Sequence, residues 1–368
     1  MLFYSSKLVF TWQDICGGCI NDLAVRLTRV GKEDDQQMKA LQLVSPRSFA
    51  LLVLPTPSFR TDGTDRILVR TRWASMCGSD VPIFAGSKRF RSYPLAPGAP
   101  SHECTGEVVE STSDAFRPGD HVLAIPEGDQ GLAEFFVAEA AKAVRLPPDG
   151  DAGPYCLIQP LSTVMNAVDR LGDVAGRSIA VVGLGLMGLF FCWLLRQRGA
   201  ARVTGIDPRD DRCRTAERWG ATRTFPLRSI EVVHAARRNP AEWEPPDICI
   251  EAVGHQMDTL NDCLELMRKR GTVVAFGVPD HPVYAIEFET LFRKNAHLLA
   301  VVTPEWSEYL PKARDLFVQH RPELTTLVTH WFPIRQAEEA FSLYERRENR
   351  VIKVLLDASS FGDGSWQS

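Results

Sequence analysis

The chain has 368 residues, of which 45% are hydrophobic and 24% charged, and its formal net charge is -4 at pH 7. This length allows two domains with well-buried cores. The charge balance supplies neither a basic stripe for nucleic acid nor an acidic tail, and the most apolar stretch, GLFFCWLL at 188–195, is too short to cross a bilayer. We therefore expect a globular protein with no nucleic-acid or membrane partner.

The cysteines and the N-terminus predict a cytoplasmic location. The chain has 9 cysteines, an odd number, and they are scattered rather than spaced as a disulfide framework. Such thiols are typical of a reducing compartment. No cationic segment followed by an apolar core and a cleavage site opens the chain, so no secretion signal is predicted.

The first two segments of the chain differ in their hydrophobic patterning. Residues 1–37 show no sustained hydrophobic period and form an N-terminal extension for which no order is predicted. From Met38 to Leu161 the chain contains short strand-like runs that are broken by proline and glycine, as in MKALQLV, RILVRTRWA, TGEVVE, DHVLAIP and AEFFVA. Residues 38–161 therefore predict a β-rich domain.

At residues 162–302 strand-like runs alternate with helical runs. Continuous apolar strands occur in SIAVVGLG, RVTGID, ICIEAVG and TVVAFGV. Such strands, linked by helices, predict a parallel sheet covered on both faces. Residues 303–358 read as helix, strand, helix and a final strand, VIKVLLDA, and residues 359–368 are predicted to be a disordered tail.

A glycine-rich turn marks the start of the α/β segment. In AVVGLGLMGL the glycines Gly183, Gly185 and Gly188 follow an apolar strand and open a helix. The first permits a tight turn, the second lets the backbone approach a diphosphate, and the third lets helix and strand pack closely. The candidate cofactor-binding residues of this turn are Gly183, Gly185, Leu186, Met187 and Gly188.

The coenzyme choice is predicted from the end of the next strand, VTGIDPRDD. The Asp207 carboxylate would accept hydrogen bonds from both ribose hydroxyls and would repel a 2'-phosphate, which favours NAD. NADP is the alternative, because the guanidinium of the nearby Arg209 could bind a 2'-phosphate.

Potential metal ligands occur in two places within the β-rich segment. Cys77 lies in ASMCGSD, and His102 and Glu103 are adjacent in PGAPSHECTGEVVE. Thiolate, imidazole and carboxylate are ligands that zinc takes where one position stays open for substrate. The side chains of neighbouring residues in a strand point to opposite faces, so His102 and Glu103 could bind the same ion only where the chain bends. The spacing alone leaves open the alternative of a buried thiol and a satisfied surface histidine.

Taken together, these motifs resemble the medium-chain dehydrogenase/reductase family of zinc-dependent alcohol and polyol dehydrogenases. The resemblance extends from Met38 to Ala358 and rests on CGSD, HECTGEV, RPGDHV, QPLSTVMNAV, VVGLGLMG and EAVG, in the order of the family. It implies an α/β plus β fold, in which a GroES-like β-barrel catalytic domain carries an inserted Rossmann domain with a doubly wound parallel sheet. The active site is expected between them.

The resemblance also implies roles for individual residues. Cys77 and His102 would ligate a catalytic zinc ion, with Glu103 in or beside the coordination shell. Ser79 would start the proton relay from the substrate, Thr163 would pack against the nicotinamide ring, and Lys353 would lie near the diphosphate.

Three departures from the family pattern qualify this assignment. The remaining ligand position is Gln159, which looks like the sugar-oxidising glucose dehydrogenase branch and would leave the site formally uncharged. Pro82 and Ile83 occupy the stretch where some members carry a relay histidine, so the proton is expected to leave through solvent or the coenzyme ribose. The four cysteines of a structural zinc lobe are missing, so one catalytic zinc ion per chain is expected.

We therefore expect hydride transfer between NAD(P) and a secondary alcohol of a polyol, sugar or cyclitol, in a homodimer or homotetramer. One alternative is a zinc-free reductase of the same fold that reduces an activated carbon–carbon double bond. The other is a non-catalytic nucleotide-binding protein.

Overall fold

The computed structural model describes residues 37–59, 62–87, 92–148 and 152–362. Most of the predicted N-terminal extension thus lies outside the described residues, and Gln37 already belongs to the first strand. The strands of the described part are β1 (Gln37–Ser45), β2 (Ser48–Pro55), β3 (Arg66–Ser75), β4 (Glu103–Ser111), β5 (His121–Ala124), β6 (Phe135–Glu139), β7 (Ala143–Arg145), β8 (Ser178–Val182), β9 (Arg202–Ile206), β10 (Arg223–Phe225), β11 (Ile248–Glu251), β12 (Thr272–Ala275), β13 (His297–Ala300), β14 (Val328–Pro333) and β15 (Lys353–Asp357). The helices are α1 (Asp80–Ala85), α2 (Ile158–Leu171), α3 (Leu186–Gln197), α4 (Asp210–Arg218), α5 (Ser229–Arg238), α6 (Asp258–Leu266), α7 (Phe288–Arg293), α8 (Trp306–Gln319), α9 (Arg321–Leu324) and α10 (Ala337–Arg346).

The strands within the described ranges form an antiparallel hairpin and two larger sheets. β1 and β2 make the hairpin. A 7-stranded sheet has the order β14-β15-β3-β4-β5-β7, with β6 also paired to β3. A 6-stranded sheet has the order β10-β9-β8-β11-β12-β13, and its strands are all parallel. This combination confirms the predicted class, a β-rich unit with a doubly wound parallel sheet.

The parallel sheet is built from the apolar runs that the sequence shows. β8 and β11 lie in its centre, and almost every residue of both strands is buried. Helices cover both faces, as continuous apolar strands require. The strand order reverses between β8 and β11, and the carboxyl ends of strands at such a reversal form a crevice for ligands.

The most apolar stretch of the chain is a core helix. α3 carries seven consecutive buried residues from Leu189 to Leu195, and it packs against α2, which is buried over most of its length. A helix that is apolar on all sides needs such enclosure. Across the part of the chain that the structure describes, no helix is both long and apolar enough to span a membrane.

The C-terminal segment returns to the 7-stranded sheet, which is mixed because β14 and β15 are parallel whereas its other pairs are antiparallel. It therefore brings residues that are distant in the chain next to β3. β15 pairs antiparallel with β3, with Leu355 opposite Ser75. The predicted disorder of the tail is wrong for its first residues: a 3-10 helix spans Ala358–Phe361, and the Phe361 side chain is fully buried. An aromatic ring in a core stabilises the ordered chain end. Residues 363–368 lie outside the described residues.

Candidate active site

The register between β3 and β4 brings the candidate ligands together. Ser75, the last residue of β3, lies opposite Glu103, the first residue of β4. Cys77 follows Ser75 by two positions, and His102 precedes Glu103 directly, outside the strand. Because His102 lies outside the strand, its side chain need not point to the face opposite that of Glu103, and the two side chains can approach one another.

Cys77, His102 and Glu103 form a compact group of potential metal ligands. One ligand atom from each of the three lies within 4.8 Å of the other two, and this is the single such group among the described residues. Glu103 is buried, whereas Cys77 and His102 are half-buried and line a cleft of about 1340 Å³. The alternative of a buried thiol beside a surface histidine is thus not the observed arrangement.

The Glu103 carboxylate is held by two partners and has one oxygen left over. Ser75 Oγ and Lys353 Nζ both donate to Oε2, whereas the buried Oε1 has no hydrogen-bond partner among the described residues. Burial raises the pKa of Glu103, but the charges of Lys353 and His102 outweigh it and hold the pKa below its ordinary value. A buried, ionised oxygen without a partner is costly, so a cation bound by Cys77, His102 and Glu103 fits this site.

A buried carboxylate that the sequence analysis did not assign, Asp80, organises the other two ligands. Its Oδ2 accepts the backbone N–H of Cys77 at 2.8 Å, and its Oδ1 lies 3.6 Å from Nδ1 of His102. Burial raises the pKa of Asp80 to about 6. Burial lowers the pKa of His102, but the charge of Asp80 together with the nearby Cys77 and Glu103 outweighs it and raises that pKa well above its ordinary value. Asp80 therefore faces the His102 ring from outside the ligand group and acts on it through its charge. Asp80 is the last residue of the CGSD motif, so its place beside Cys77 in the sequence could have pointed to it.

The remaining residues predicted around the ligands line the same cleft. Gln159, in the first turn of α2, is buried and faces the cleft together with Cys77, His102 and Glu103. Ser79 precedes α1 and is half-buried at the cleft. Thr163 lies one turn after Gln159, and its hydroxyl donates to the Pro160 carbonyl at 2.7 Å, which leaves its methyl group available for a ring.

The glycine-rich turn joins β8 to α3 as the spacing predicts. Gly183 has φ = 92°, a conformation that favours glycine. A Cβ on Gly188 would collide with the Gly183 carbonyl, whereas a Cβ on Gly185 would meet no atom within 4 Å. Gly185, Leu186 and Met187 face the cleft. The open space at Gly185 fits the close approach of a diphosphate to the backbone.

Asp207 lies beside this turn at the end of β9. Its Oδ2 accepts the N–H of Leu184 and its Oδ1 accepts the N–H of Arg209, each at 2.9 Å. These bonds fix the carboxylate at the cleft edge. The Arg209 guanidinium is bound by Asp211 and by the Arg347 carbonyl.

Lys353 occupies a different part of the cleft from the one the resemblance implies. Its fully buried ammonium donates to the Glu103 carboxylate and, at 2.8 Å, to the Met76 carbonyl. Burial lowers the pKa of Lys353, but Glu103, with smaller contributions from Tyr344 and Cys77, outweighs it and raises the pKa above its ordinary value. The ammonium is thus committed to the ligand group and not held out toward a diphosphate.

A histidine-carboxylate pair at the cleft was also missed. His255 Nδ1 lies 2.6 Å from Asp280 Oδ1. Both residues line the large cleft and also a smaller cavity of about 130 Å³, which Ser79, Asp80 and His102 line as well. Loop residues of this kind carry no periodic sequence signal.

Comparison with known proteins agrees with this geometry. Residues 63–148 match the family described as "Alcohol dehydrogenase GroES-like domain", and residues 185–319 match "Zinc-binding dehydrogenase". L-threonine 3-dehydrogenase of Caldanaerobacter subterraneus subsp. tengcongensis is 26% identical over 318 residues, 76% of this chain and 88% of the relative. Sorbitol dehydrogenase of Gallus gallus is 25% identical over 325 residues, 80% of this chain and 90% of the relative.

The fold is also similar to that of a solved alcohol dehydrogenase structure. The structure of an alcohol dehydrogenase from Thermus sp. ATN1 superimposes with a TM-score of 0.74 at 23% identity, covering 87% of this chain and 99% of that chain. The chain belongs to the zinc-dependent alcohol dehydrogenases of the medium-chain dehydrogenase/reductase family. It is accordingly an oxidoreductase of the zinc-binding dehydrogenase type.

Proposed function

We propose that this enzyme oxidises a secondary alcohol of a polyol, sugar or cyclitol with NAD and one catalytic zinc ion. The observation that carries the proposal is the meeting of Cys77, His102 and Glu103, with the free Oε1 of Glu103, in the cleft that also contains the glycine turn. The ligand group is on the mixed sheet and the glycine turn on the parallel sheet. The division into a catalytic domain, 38–161 with 303–358, and a coenzyme domain, 162–302, is part of the proposal.

Zinc would be held by Cys77, His102 and Glu103, with the Gln159 amide as a neutral fourth ligand. Bound there, zinc would acidify the substrate hydroxyl, while the nicotinamide ring would take up hydride. The chain itself holds the ligands: Asp80 accepts the Cys77 backbone N–H and faces the His102 ring, and Lys353 holds Glu103. A neutral Gln159 keeps the ligand set from adding further negative charge beside the substrate oxygen.

Ser79 would receive the substrate proton. Its position at the cleft, two residues after Cys77, places a hydroxyl beside the ligand group. Thr163 would bear on one face of the nicotinamide ring and restrict its orientation. These roles amount to proximity, orientation and proton transfer, which are what the protein contributes besides its cofactors.

NAD is the preferred coenzyme in this proposal. The Asp207 carboxylate is fixed at the cleft edge by two backbone N–H groups and would accept the ribose hydroxyls. Arg209, whose guanidinium is bound by Asp211, is not free to meet a 2'-phosphate without losing that partner. NADP remains the alternative that the coenzyme assay decides.

The substrate class is supported by the ligand set and the relatives. Glu103 and Gln159 provide polar groups at the ligand site, and the relatives named above act on threonine and sorbitol, both of which carry a secondary alcohol. A polyhydroxylated substrate would find polar partners in this cleft. L-Threonine belongs in any substrate panel as the alternative within the same reaction type.

We further propose a homodimer or homotetramer. α7 and β13 lie at one edge of the parallel sheet, and their large apolar side chains Phe288, Phe292 and Leu298 are 70%, 71% and 43% exposed. An apolar sheet edge of this kind favours association with another copy. Light scattering after gel filtration would give the molar mass.

Metal analysis combined with a substrate screen tests the enzymatic proposal. The purified protein should contain about one zinc ion per chain and should reduce NAD with at least one member of a panel of sugars, polyols, cyclitols and L-threonine. Cys77→Ala should lose both zinc and turnover but still bind NADH. Cys263→Ala, a buried thiol on α6, is the matched control and should keep both.

The same experiment separates the alternatives. Full activity in metal-free protein would refute the zinc mechanism, and reduction of an activated double bond by that protein would establish the zinc-free reductase. Zinc content without turnover on any alcohol of the panel would refute the enzyme and favour a nucleotide-binding protein.

A further inference from the structure

Alcohol oxidation releases a proton, and the cavity beside Ser79 contains a base that has no other assigned role. We propose that His255, oriented by Asp280, is the final acceptor of the substrate proton within the protein. This inference rests on the proposed alcohol oxidation. It replaces the expectation that the proton leaves Ser79 through solvent or the coenzyme ribose alone.

The two residues form a pair with the geometry of an oriented base. His255 Nδ1 lies 2.6 Å from Asp280 Oδ1, and the side chains are 26% and 27% exposed. A proton on Nδ1 would be donated to Asp280 and would leave the Nε2 lone pair available, and the hydrogen bonds of the ring to described residues include none at Nε2. A carboxylate that fixes the tautomer of an imidazole leaves the opposite nitrogen ready to take a proton.

The loop that carries His255 is fixed by hydrogen bonds to its backbone. The buried Glu251 carboxylate accepts the N–H groups of Val253 and Gly254 at 2.9 and 3.0 Å. The N–H of His255 itself donates to the Val278 carbonyl at 2.8 Å. The ring is therefore held by a rigid support, which a base needs in order to stay in line with its donor.

The cavity connects this pair to Ser79. His255 and Asp280 from one side and Ser79 from the other line the same space of about 130 Å³. A water molecule occupies about 30 Å³ in the liquid, so the cavity holds several. Water in this cavity would lie between Ser79 and the His255–Asp280 pair and would carry the proton from one to the other.

The other charged groups around the cavity are committed elsewhere or face solvent. The titratable side chains that line the smaller cavity with this pair are Asp80, His102 and Asp129, and Asp258 lines the larger cleft. Asp80 is bound to the Cys77 N–H and faces His102. The Asp129 side chain is 57% exposed. Among the described residues that line this cavity, His255 is thus the one imidazole that is not a proposed metal ligand.

The step balances as follows. The substrate O–H bond breaks and its proton reaches Ser79 Oγ, whose own proton passes through water to His255 Nε2, giving an imidazolium paired with Asp280. The C–H bond of the substrate breaks as the carbonyl forms, and oxidised nicotinamide, when bound, would take up the hydride. The imidazolium then releases its proton to bulk solvent at the exposed side of the cleft.

Kinetics of matched variants test the role of His255. His255→Gln should lower kcat by about 100-fold at neutral pH, remove an inflection from the pH profile of kcat, and recover in part when free imidazole is added. Zinc content and the Kd for NADH should be unchanged. His281→Gln, an exposed histidine of the neighbouring loop, should behave as the wild type.

A spectroscopic readout independent of turnover tests the orienting role of Asp280. In chelator-treated, coenzyme-free protein, nitrogen-15 NMR of the neutral His255 ring should show the proton on Nδ1, and Asp280→Asn should change that tautomer. A proton on Nε2 in the wild type would overturn the inference, and so would an unaltered pH profile in active His255→Gln. A wild type that oxidises no alcohol would instead refute the proposed function, and the acceptor role with it.

Discussion

Lys353 and Glu103 form a fully buried ion pair although 250 positions separate them in the chain. β15 brings the lysine to the end of β3, and β4 begins with the glutamate. The pair holds one carboxylate oxygen with an ammonium and leaves the other without a partner in the described residues. Glu103 is therefore ionised and oriented before any metal binds.

Removing the lysine should expose the cost of that buried charge. Lys353→Met is expected to destabilise the metal-free protein by about 3–5 kcal/mol, because it leaves an uncompensated carboxylate in the core. Added zinc should stabilise the variant more than the wild type, since the ion supplies the missing positive charge. Urea unfolding with and without zinc measures both effects.

The control for this prediction is an ion pair on the surface. Arg293 and Glu289 are both 74% exposed, so Arg293→Met should change stability little. The double variant Lys353→Met with Glu103→Gln should recover part of the loss, because it removes both charges together. Equal destabilisation of the single and double variants would contradict the argument.

In the glycine turn, an added methyl group should have different effects at Gly188 and at Gly185. Gly188→Ala would place Cβ against the Gly183 carbonyl and should destabilise the fold by about 1–3 kcal/mol. Gly185→Ala has open space and φ = -71°, so the fold should keep its stability. Its methyl group would instead hinder the diphosphate, and the Kd for NADH should rise by about tenfold or more. Thermal unfolding and fluorescence titration distinguish the two, and unchanged NADH affinity in Gly185→Ala would contradict the assignment.

Asp207 should determine the preference between coenzymes. Asp207→Asn removes the charge that repels a 2'-phosphate but keeps a side chain of the same shape. The ratio of kcat/KM for NADP to that for NAD should rise by about tenfold, which corresponds to about 1.4 kcal/mol. Asp210→Asn, an exposed acid on α4, is the control and should leave the ratio unchanged. A wild-type preference for NADP would refute the prediction at the outset.

Gln159 should adjust the charge of the metal site. Gln159→Glu adds a carboxylate to the ligands and should raise zinc affinity by about tenfold, while it lowers kcat because a more negative site acidifies the alcohol less. Gln159→Met has a similar size without the amide oxygen and should weaken zinc binding. Competition with a chromogenic chelator gives the affinities. Identical affinities in all three proteins would show that residue 159 does not contact the metal.

The features of the fold that can be read from the sequence share a local physical signature. A tight turn, a close backbone approach and a helix N-terminus require glycine at fixed offsets, so the Gly183–Gly188 turn is readable from neighbouring letters alone. The alternation of apolar strands and helices likewise shows the parallel sheet, because each strand must bury both faces. The tail at 359–361 was not readable, since Phe361 is ordered by a core that is distant in the chain.

Sequence alone thus determined which chemical groups the candidate site contains: a thiol, an imidazole and a carboxylate in one segment, and a glycine-rich turn in another. Only the tertiary structure decided how these groups are coupled. It placed Lys353 on Glu103, put Asp80 behind His102, and set the His255–Asp280 pair against Ser79. Ion pairs and shared cavities depend on distances through space between elements far apart along the chain, and no local periodicity encodes those distances.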